Sequence, residues 1–273
     1  MTTREIQMVS LDILKDVHEF CEENNIKYTL QGGTLLGAIR HKGFIPWDDD
    51  IDIAMPRPDY DKFIHTYNNE SGRYKLFSRE IQELKDKVFM SYARVCDMES
   101  TLVDCKKSPW TTIPTGVWID IFPLDGIEDS IVQGEKRVNK HYNLWKLCIK
   151  KRTLLVSYSS CTSIHEKAIL FLKHVIYRFI PNDIFEKHIK LCREIPFGST
   201  KHYCMYAFPG YKIRERHSID VLDKVQLESF EDVYFYIMRG YKEALQEKFG
   251  DYMKLPPMEL RVPGHGFFTY FWK

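Results

Sequence analysis

Four aspartates lie within five positions of the sequence, in the run WDDDIDI. Residues 50–55 alternate apolar and polar side chains, which predicts a strand. Successive side chains of a strand point to opposite faces, so we expect Asp48, Asp50 and Asp52 to share one face. Asp49 would point away from them. Carboxylates held together repel one another, and a bound Mg²⁺ or Mn²⁺ would remove that repulsion. The alternative is a solvated acidic turn that holds no metal.

A calcium loop of the EF-hand kind is a third interpretation of the same run. Such a loop beginning at Asp48 requires glycine at its sixth position and glutamate at its twelfth. The sequence has Ile53 and Asp59 at those positions. The EF-hand interpretation is therefore excluded.

A glycine pair precedes the aspartates. Gly32, Gly33 and Thr34 follow a predicted strand over 26–31 and lead into a predicted helix over 34–41. Glycines at a helix N-terminus let backbone N–H groups and a hydroxyl approach a phosphate. A Gly-Gly pair alone is more typical of a plain turn. Its significance comes from lying about 17 residues before a D-x-D pattern on the next strand.

A third acid lies farther along the chain. Asp120 interrupts the alternating segment GVWIDIFPLD, a predicted strand that is expected to end at a turn at Asp125–Gly126. A lone carboxylate in an apolar strand is costly to bury without a partner, and a shared metal would be one. The alternative is an acid on an edge strand that faces water.

The remaining pattern predicts an α+β chain. Helices are expected over 3–25 and from Pro58, and further strands over 74–78, 88–95 and 99–104. After residue 125 the spacing is mostly helical, over 129–152, 163–179, 183–194 and 230–249. We therefore expect a catalytic module over 1–125 and a mainly helical part over 126–273.

The composition limits the class of protein. Lys+Arg 39 against Asp+Glu 38 gives a net charge of +1, which does not favour a nucleic-acid partner. Seven scattered cysteines without CxxC spacing indicate reduced thiols rather than disulfides or zinc. Without a signal-peptide pattern or an 18-residue apolar run, the expected location is cytoplasmic. Segments 144–152 and 168–180 mix apolar and basic residues. Either they touch the inner membrane surface, or they face the core with their lysines reaching out.

The order G-G, D-h-D-h and h-D-h (h apolar) resembles the nucleotidyltransferase superfamily. One branch is more similar still: YTLQGGTLLGAIRHKGFIPWDDDIDIAMPRPDYDKF resembles the signature of the LicD family, phosphocholine transferases related to the fukutins. The likeness continues in GVWIDIFPLDG, in FED at 230–232 and in FGDYMKLPP at 249–257. It is weak over 126–225. The resemblance implies a nucleotidyltransferase-like mixed sheet with flanking helices.

The resemblance also implies the site. Asp50, Asp52 and Asp120 are the catalytic acids and would hold divalent cations over the phosphates of a nucleotide. Asp48 is an auxiliary ligand, and Asp49 is structural.

The nucleotide phosphates are expected to lie in the cradle of Gly32, Gly33 and Thr34. Arg40 and Lys42, in the loop opposite, could contact the same phosphates. The closing block adds Arg261 and His265 as residues that could reach the substrate.

The activity implied is Mg²⁺-dependent transfer of a phosphorylated alcohol from CDP-choline, or another CDP-alcohol, to a glycan hydroxyl. CMP would leave, and Asp120 would accept the proton of the attacking hydroxyl. The glycan could be lipid-linked, as in lipopolysaccharide or teichoic acid modification. Two alternatives remain open: a nucleotidyltransferase of the same fold, and a non-enzymatic binding protein. A choline-selective pocket would need an aromatic cage, to which Trp47, Trp110 and Trp118 could contribute.

Overall fold

The computed structural model describes residues 1–67, 72–222, 224–264 and 268–273. The α-helices are α1 (Thr3–Glu23), α2 (Gly32–Arg40), α3 (Arg57–Thr66), α4 (Ile131–Arg152), α5 (Ile164–Tyr177), α6 (Ile184–Cys192) and α7 (Tyr241–Phe249). The strands are β1 (Thr29–Leu30), β2 (Asp52–Pro56), β3 (Tyr74–Phe77), β4 (Ala93–Asp97), β5 (Thr101–Asp104), β6 (Trp118–Ile127), β7 (His202–Cys204), β8 (Arg216–Ser218), β9 (Val225–Phe230), β10 (Val233–Met238) and β11 (Thr269–Trp272). Short 3₁₀ helices occur at Gln82–Leu84, Thr153–Leu155, Tyr158–Ser160, Pro209–Glu215, Ile219–Val221 and Met258–Leu260.

The main sheet is mixed and is organised around β6. Strands follow the order β1-β2-β6-β4-β3, and β7 and β8 extend the sheet beyond the second half of β6. Strand β6 runs parallel to β2 and antiparallel to β4 and β7. All ten residues of β6 are buried, so both faces of this strand are covered. The predicted mixed sheet with flanking helices, and the α+β class, are confirmed.

Strand β6 does not end where the sequence pattern suggested. The expected turn at Asp125–Gly126 is wrong, because both residues remain in the strand and pair with Cys204 and Tyr203 of β7. The main sheet therefore continues across residue 125. The supporting partner strand comes from the far side of α6, which a local turn signal cannot reveal.

Helix α1 packs one face on the sheet and holds the aspartate run with the same face. A capping box starts the helix: the Thr2 hydroxyl accepts from the Glu5 N–H, and the Glu5 carboxylate accepts from the Thr2 N–H at 2.7 Å. The side-chain amide of the buried Gln7 donates to the carbonyls of Ile45 (3.3 Å) and Asp48 (2.7 Å). The loop that carries the aspartates is thus tied to the core.

The predicted helix over 230–249 is wrong in its first half. Strands β9 and β10 form an antiparallel hairpin there, and Glu231 adopts φ 57° at its turn. The segment VYFYIM alternates β-branched and aromatic residues, which favour strands, and Phe235 and Ile237 are buried. Helix α7 begins only at Tyr241. Strand β4 also begins later than predicted, at Ala93.

Among the described residues, no helix is both long enough and apolar enough to cross a membrane.

A buried ion pair joins α3 to β6. The guanidinium of Arg57, at the first residue of α3, donates to both carboxylate oxygens of Asp125 at 2.7 Å. Both side chains are buried. Because a buried charge without a partner is strongly unfavourable, this pair fixes where α3 lies on the sheet.

We expect Arg57→Met to lower the free energy of unfolding by about 3–5 kcal/mol, because it leaves the Asp125 carboxylate buried and unpaired. Urea denaturation followed by circular dichroism measures this change. The control is Lys187→Met, which removes an exposed ion pair with Asp183 and should change stability by less than about 1 kcal/mol. Similar losses in the two variants would contradict the assignment.

Candidate functional site

The glycine pair lies inside the first turn of α2, since the helix begins at Gly32 rather than at Thr34 as predicted. Gly32 has φ +58°, and a Cβ there would lie 3.2 Å from Oδ2 of Asp52. A Cβ on Gly33 would lie 2.6 Å from Oδ2 of Asp48, closer than atoms can approach. The two glycines therefore leave room for two carboxylates beside the positive end of a helix.

Asp52 is held by the backbone and by Thr34. The Asp52 N–H donates to the Thr34 hydroxyl at 2.8 Å, and the Asp52 carbonyl accepts from the Gln31 N–H at 2.9 Å. The start of β2 is thus fastened to the start of α2. Thr34 itself is buried, so it positions the first turn of the predicted cradle.

The other aspartates precede the strand rather than belonging to it. Strand β2 begins at Asp52, so the parity argument for Asp48, Asp49 and Asp50 rested on a strand that is absent there. One carboxylate oxygen from each of these three residues lies within 4.8 Å of the other two. Asp49 is buried, and its Oδ1 lies 3.9 Å from where a Cβ of Gly264 would be.

Asp120 reaches the same place from the neighbouring strand. In the parallel pairing of β2 and β6, Asp52 and Asp120 are register partners. Paired residues of neighbouring strands point to the same face of a sheet, so the two carboxylates are adjacent. The structure pairs Asp120 with an arginine, and the shared metal predicted as its partner stays a prediction.

Arg94 of β4 pairs with Asp120 across the other edge of β6. Its Nε donates to Oδ1 at 2.5 Å and its Nη2 to Oδ2 at 3.2 Å. The guanidinium lies over the rings of Trp110 (4.7 Å) and Trp118 (4.3 Å). Its Nη1 is buried and has no hydrogen-bond partner among the described residues. Arg94 therefore neutralises the charge of Asp120, and its Nη1 group can donate to a ligand.

These residues line a cavity of about 340 Å³. The acids Asp48, Asp50, Asp52 and Asp120 all face it, whereas Asp49 is not among its lining residues. The cations that line it are Arg94 and Lys248, and the Lys248 ammonium pairs with Glu215 at 2.7 Å.

Carboxylates outnumber cations in the lining of this cavity, and this excess affects the pKa of Asp52. Burial, and then the neighbouring carboxylates of Asp50 and Asp120, raise the pKa of Asp52 well above its ordinary value. Lys248 opposes this shift only in part. The phenol of Tyr92 on the cavity wall stays neutral, because burial raises its pKa to about 12.

The donor set fits a hard divalent cation. Carboxylate oxygens are the ligands that Mg²⁺ and Mn²⁺ take in proteins. The raised pKa of Asp52 reflects burial first and then neighbouring negative charge, which such a cation would neutralise. The cluster is therefore suited to a metal that also contacts an anionic substrate.

The two predicted phosphate-contacting cations lie elsewhere. Arg40 donates to the carbonyls of Tyr252 (2.8 Å) and Lys254 (3.3 Å), and Lys42 pairs with Glu228 of β9 at 3.2 Å. Neither lines the acidic cavity, because α2 directs its C-terminal turn toward the closing block.

The closing block itself is described only in part. Arg261 lies over the ring of Trp47 at 5.4 Å, outside the acidic cavity. His265 lies outside the described residues.

Sequence reasoning missed Arg94 and Lys248. The signal for Arg94 was present in YARVC, where its charge stands among apolar residues as Asp120 does in its own strand. Two isolated charges of opposite sign in two apolar strands predict a buried pair. Lys248, one of two lysines on α7, carried no comparable signal.

A mixed sheet that presents acids on adjacent strands, beside a glycine-led helix N-terminus, defines the nucleotidyltransferase-like class of phosphate-transferring folds. Residues 25–143 match the family described as LicD/FKTN/FKRP, nucleotidyltransferase domain. The chain is 33% identical over 273 residues to the lipopolysaccharide cholinephosphotransferase LicD of Haemophilus influenzae, covering 97% of this chain and 96% of that protein. The chain belongs to the LicD family.

Two shorter similarities are local. Ribitol 5-phosphate transferase FKRP of Homo sapiens is 50% identical over 34 residues, which is 12% of this chain and 7% of that protein. An uncharacterized protein of Rickettsia prowazekii is 55% identical over 47 residues, 17% of this chain and 18% of that one.

The raised pKa of Asp52 predicts a dependence of stability on pH. Below the ordinary carboxyl pKa, about 3.9, Asp52 is protonated in both the folded and unfolded states. As pH rises toward the folded pKa, the unfolded state loses its proton more readily, so stability falls. In the presence of a chelator, Asp52→Asn should be about 1–3 kcal/mol more stable than the parent protein at pH 8. The difference should shrink toward pH 4.

Thermal and urea denaturation from pH 4 to pH 8 measure this difference. The control is Asp232→Asn, which changes a mostly exposed carboxylate that pairs with Lys15 at 3.4 Å. If Asp52→Asn is less stable than the parent protein at pH 8, Asp52 does not carry uncompensated charge.

Proposed function

We propose that the protein transfers phosphocholine from CDP-choline to a hydroxyl of a lipopolysaccharide-type glycan and releases CMP. The observation that carries this proposal is the acidic cavity at the start of α2, in a chain that matches a lipopolysaccharide cholinephosphotransferase over almost its entire length. The similarity to a ribitol 5-phosphate transferase over 34 residues supports a phospho-alcohol as the transferred group.

The proposed cofactor is Mg²⁺ or Mn²⁺, held by Asp48, Asp50, Asp52 and Asp120. When bound, it supplies positive charge that neutralises the diphosphate of the donor. The rest of the site acts by positioning and by electrostatics, as is usual for phosphoryl transfer.

The protein groups have separate tasks. The N–H groups at the start of α2 face the phosphates, since Gly32 and Gly33 leave them uncovered. The free Nη1 of Arg94 donates to an oxygen of the diphosphate. Asp120, fixed by Arg94, accepts the proton of the acceptor hydroxyl.

The chemical step exchanges one P–O bond for another. The acceptor oxygen forms a bond to the phosphorus that bears choline, and the bond from that phosphorus to the bridging oxygen breaks. The proton of the hydroxyl goes to Asp120, and CMP leaves with the electron pair of the broken bond. A nucleotidyl transfer in the same site would instead attack the phosphorus attached to the nucleoside.

We expect Asp50→Asn and Asp52→Asn each to lower turnover by more than about 100-fold, because partners one step removed from a metal already cost 10–100-fold. Asp232→Asn, on the surface, should retain turnover. The assay measures CMP release from CDP-choline carrying label in the choline, with Mg²⁺ and a lipopolysaccharide acceptor. Near-normal turnover of either variant would exclude the metal assignment. Label released as free phosphocholine, with CMP attached to the acceptor, would favour the nucleotidyltransferase alternative.

Helix α5 suggests where a lipid-linked acceptor would be met. It leaves large apolar side chains exposed, among them Phe171 (57% exposed), Leu172 (59%) and Ile176 (61%). Only Leu170 of the helix is buried, so the core-facing interpretation of residues 168–180 is wrong. Lys167 and other basic residues accompany the apolar ones. We propose that α5 lies on an anionic membrane surface, a partner suited to an apolar face flanked by cations.

We expect Phe171→Glu/Ile176→Glu to lower the fraction of protein that sediments with anionic vesicles by more than about tenfold, because two charges oppose insertion. The matched control is Val132→Glu, which places a charge on an exposed apolar site of α4 (61% exposed). Sedimentation with vesicles of phosphatidylglycerol and phosphatidylethanolamine measures binding. If the double variant changes the oligomeric state and leaves vesicle binding intact, α5 is an interface between copies of the chain.

A further inference from the structure

A second cavity, of about 370 Å³, adjoins the acidic one. The two cavities share Tyr92, Arg94 and Phe208 in their walls. Trp145 of α4 and Phe208 both line this second cavity and contact each other edge to face, with ring centroids 5.5 Å apart. A ligand that spans both cavities would pass directly from carboxylates and a helix N-terminus to aromatic walls.

Arg152, the last residue of α4, gives the second cavity its charge. Its guanidinium donates to the Ser108 hydroxyl at 3.2 Å. Within the described residues, no carboxylate lies within ion-pairing distance of it. Burial lowers the pKa of Arg152, Tyr92 opposes this shift, and the neighbouring Arg94 guanidinium lowers the pKa further. The C-terminal end of α4 offers some compensation through its helix dipole. A partly buried guanidinium with unused donors in a cavity wall is suited to a ligand that presents hydrogen-bond acceptors.

Choline does not fit this cavity. A quaternary ammonium over Trp110 would compete with the Arg94 guanidinium, which already lies over that ring. Arg94 and Arg152 would also repel a third positive charge.

A sugar fits no better. Saccharide hydroxyls need acceptors such as carboxylates and amides. The described residues that line this cavity include no Asp, Glu, Asn or Gln. A ligand with a flat ring and hydrogen-bond acceptors on its edge would match the aromatic side chains and guanidinium groups of this lining.

We propose that this cavity binds the pyrimidine base of the donor, stacked on Trp145 with Phe208 at its edge, and with Arg152 donating to O2 and N3 of the base. This subsite rests on the proposed function, in which the diphosphate of the same donor occupies the acidic cavity. Aromatic stacking binds any pyrimidine, whereas hydrogen bonds from the Arg152 guanidinium discriminate between one pyrimidine and another. Cytosine presents acceptors at both O2 and N3, but uracil carries a proton at N3 that would face a donor. Arg152 is therefore the residue that distinguishes cytosine from uracil.

The test compares binding of CMP and UMP by isothermal titration calorimetry, using the full-length protein with Mg²⁺. We expect Arg152→Gln to weaken CMP binding by more than about tenfold, the loss of one charged hydrogen-bonding pair. It should also remove the preference for CMP over UMP. The matched control is Lys150→Gln, which removes an exposed charge from the same helical turn. Its affinity and preference should equal those of the parent protein.

A second variant separates stacking from selection. Trp145→Leu should weaken CMP and UMP by similar factors and leave their ratio unchanged. The subsite is overturned if Arg152→Gln, folded as judged by its melting curve, retains both CMP affinity and preference. It is also overturned if that variant raises only the KM for the glycan acceptor.

The two proposals fail in different ways. If the parent protein transfers choline phosphate but Arg152→Gln binds CMP normally, only the subsite is wrong. If the parent protein binds CMP through Arg152 but leaves CDP-choline intact in the presence of acceptor, the subsite stands and the proposed reaction is wrong.

Discussion

The buried pair of Arg94 and Asp120 is the interaction on which the rest of the site depends. The pair joins β4 to β6 at a position where the two cavities meet. The Arg94 guanidinium lies against the indole rings of Trp110 and Trp118. Without Arg94, the carboxylate of Asp120 would stand beside Asp52 in a buried setting, and their repulsion would add to the cost of desolvation. The Arg94 guanidinium thus allows Asp52 and Asp120 to lie on adjacent strands without a metal ion.

Strand β6 contains two buried aspartates that are each paired with an arginine. Asp120 is paired with Arg94 from the sheet, and Asp125 is paired with Arg57 from α3. The strand is buried on both faces, so each carboxylate requires a cation from a particular neighbouring element. The first pair shapes the cavity, and the second holds the helix that follows β2. The same strand therefore sets both the position of the acids and the position of the element behind them.

The parts of the site that sequence could predict are those with a local signal. The aspartate run, the glycine pair and the isolated Asp120 are each visible within a few residues, and all of these residues except Asp49 line one cavity. The contribution of Arg94 depends on the antiparallel register of β4 against β6, which arises between segments about 26 residues apart. The β9–β10 hairpin was missed for a related reason, since charged turn residues at 231–232 fit a helix surface as well as a turn.

Closeness in sequence does not place two residues in the same cavity. Arg40 and Lys42 follow the glycine cradle closely, so they appeared suited to phosphate contact. A helix of nine residues is about 13 Å long, and neither residue at its far end lines the cavity beside its first turn. The cations that do reach the cavity come from β4 and α7, which are distant in sequence.

The opposite characters of the two cavities constrain how a nucleotide could bind, if the proposed function holds. The acidic cavity repels a diphosphate until a cation is present, because its acids outnumber its cations. The aromatic cavity carries Arg152 and needs no metal to accept a base. A donor would therefore gain its base contacts without metal and its phosphate contacts only with metal. Nucleotide affinity should then depend on Mg²⁺ more steeply for a diphosphate than for a monophosphate, since the second phosphate group is the one that lies among the acids. This coupling would favour release of CMP once the bridging bond has broken, because the product leaves less negative charge in the acidic cavity for a metal to neutralise.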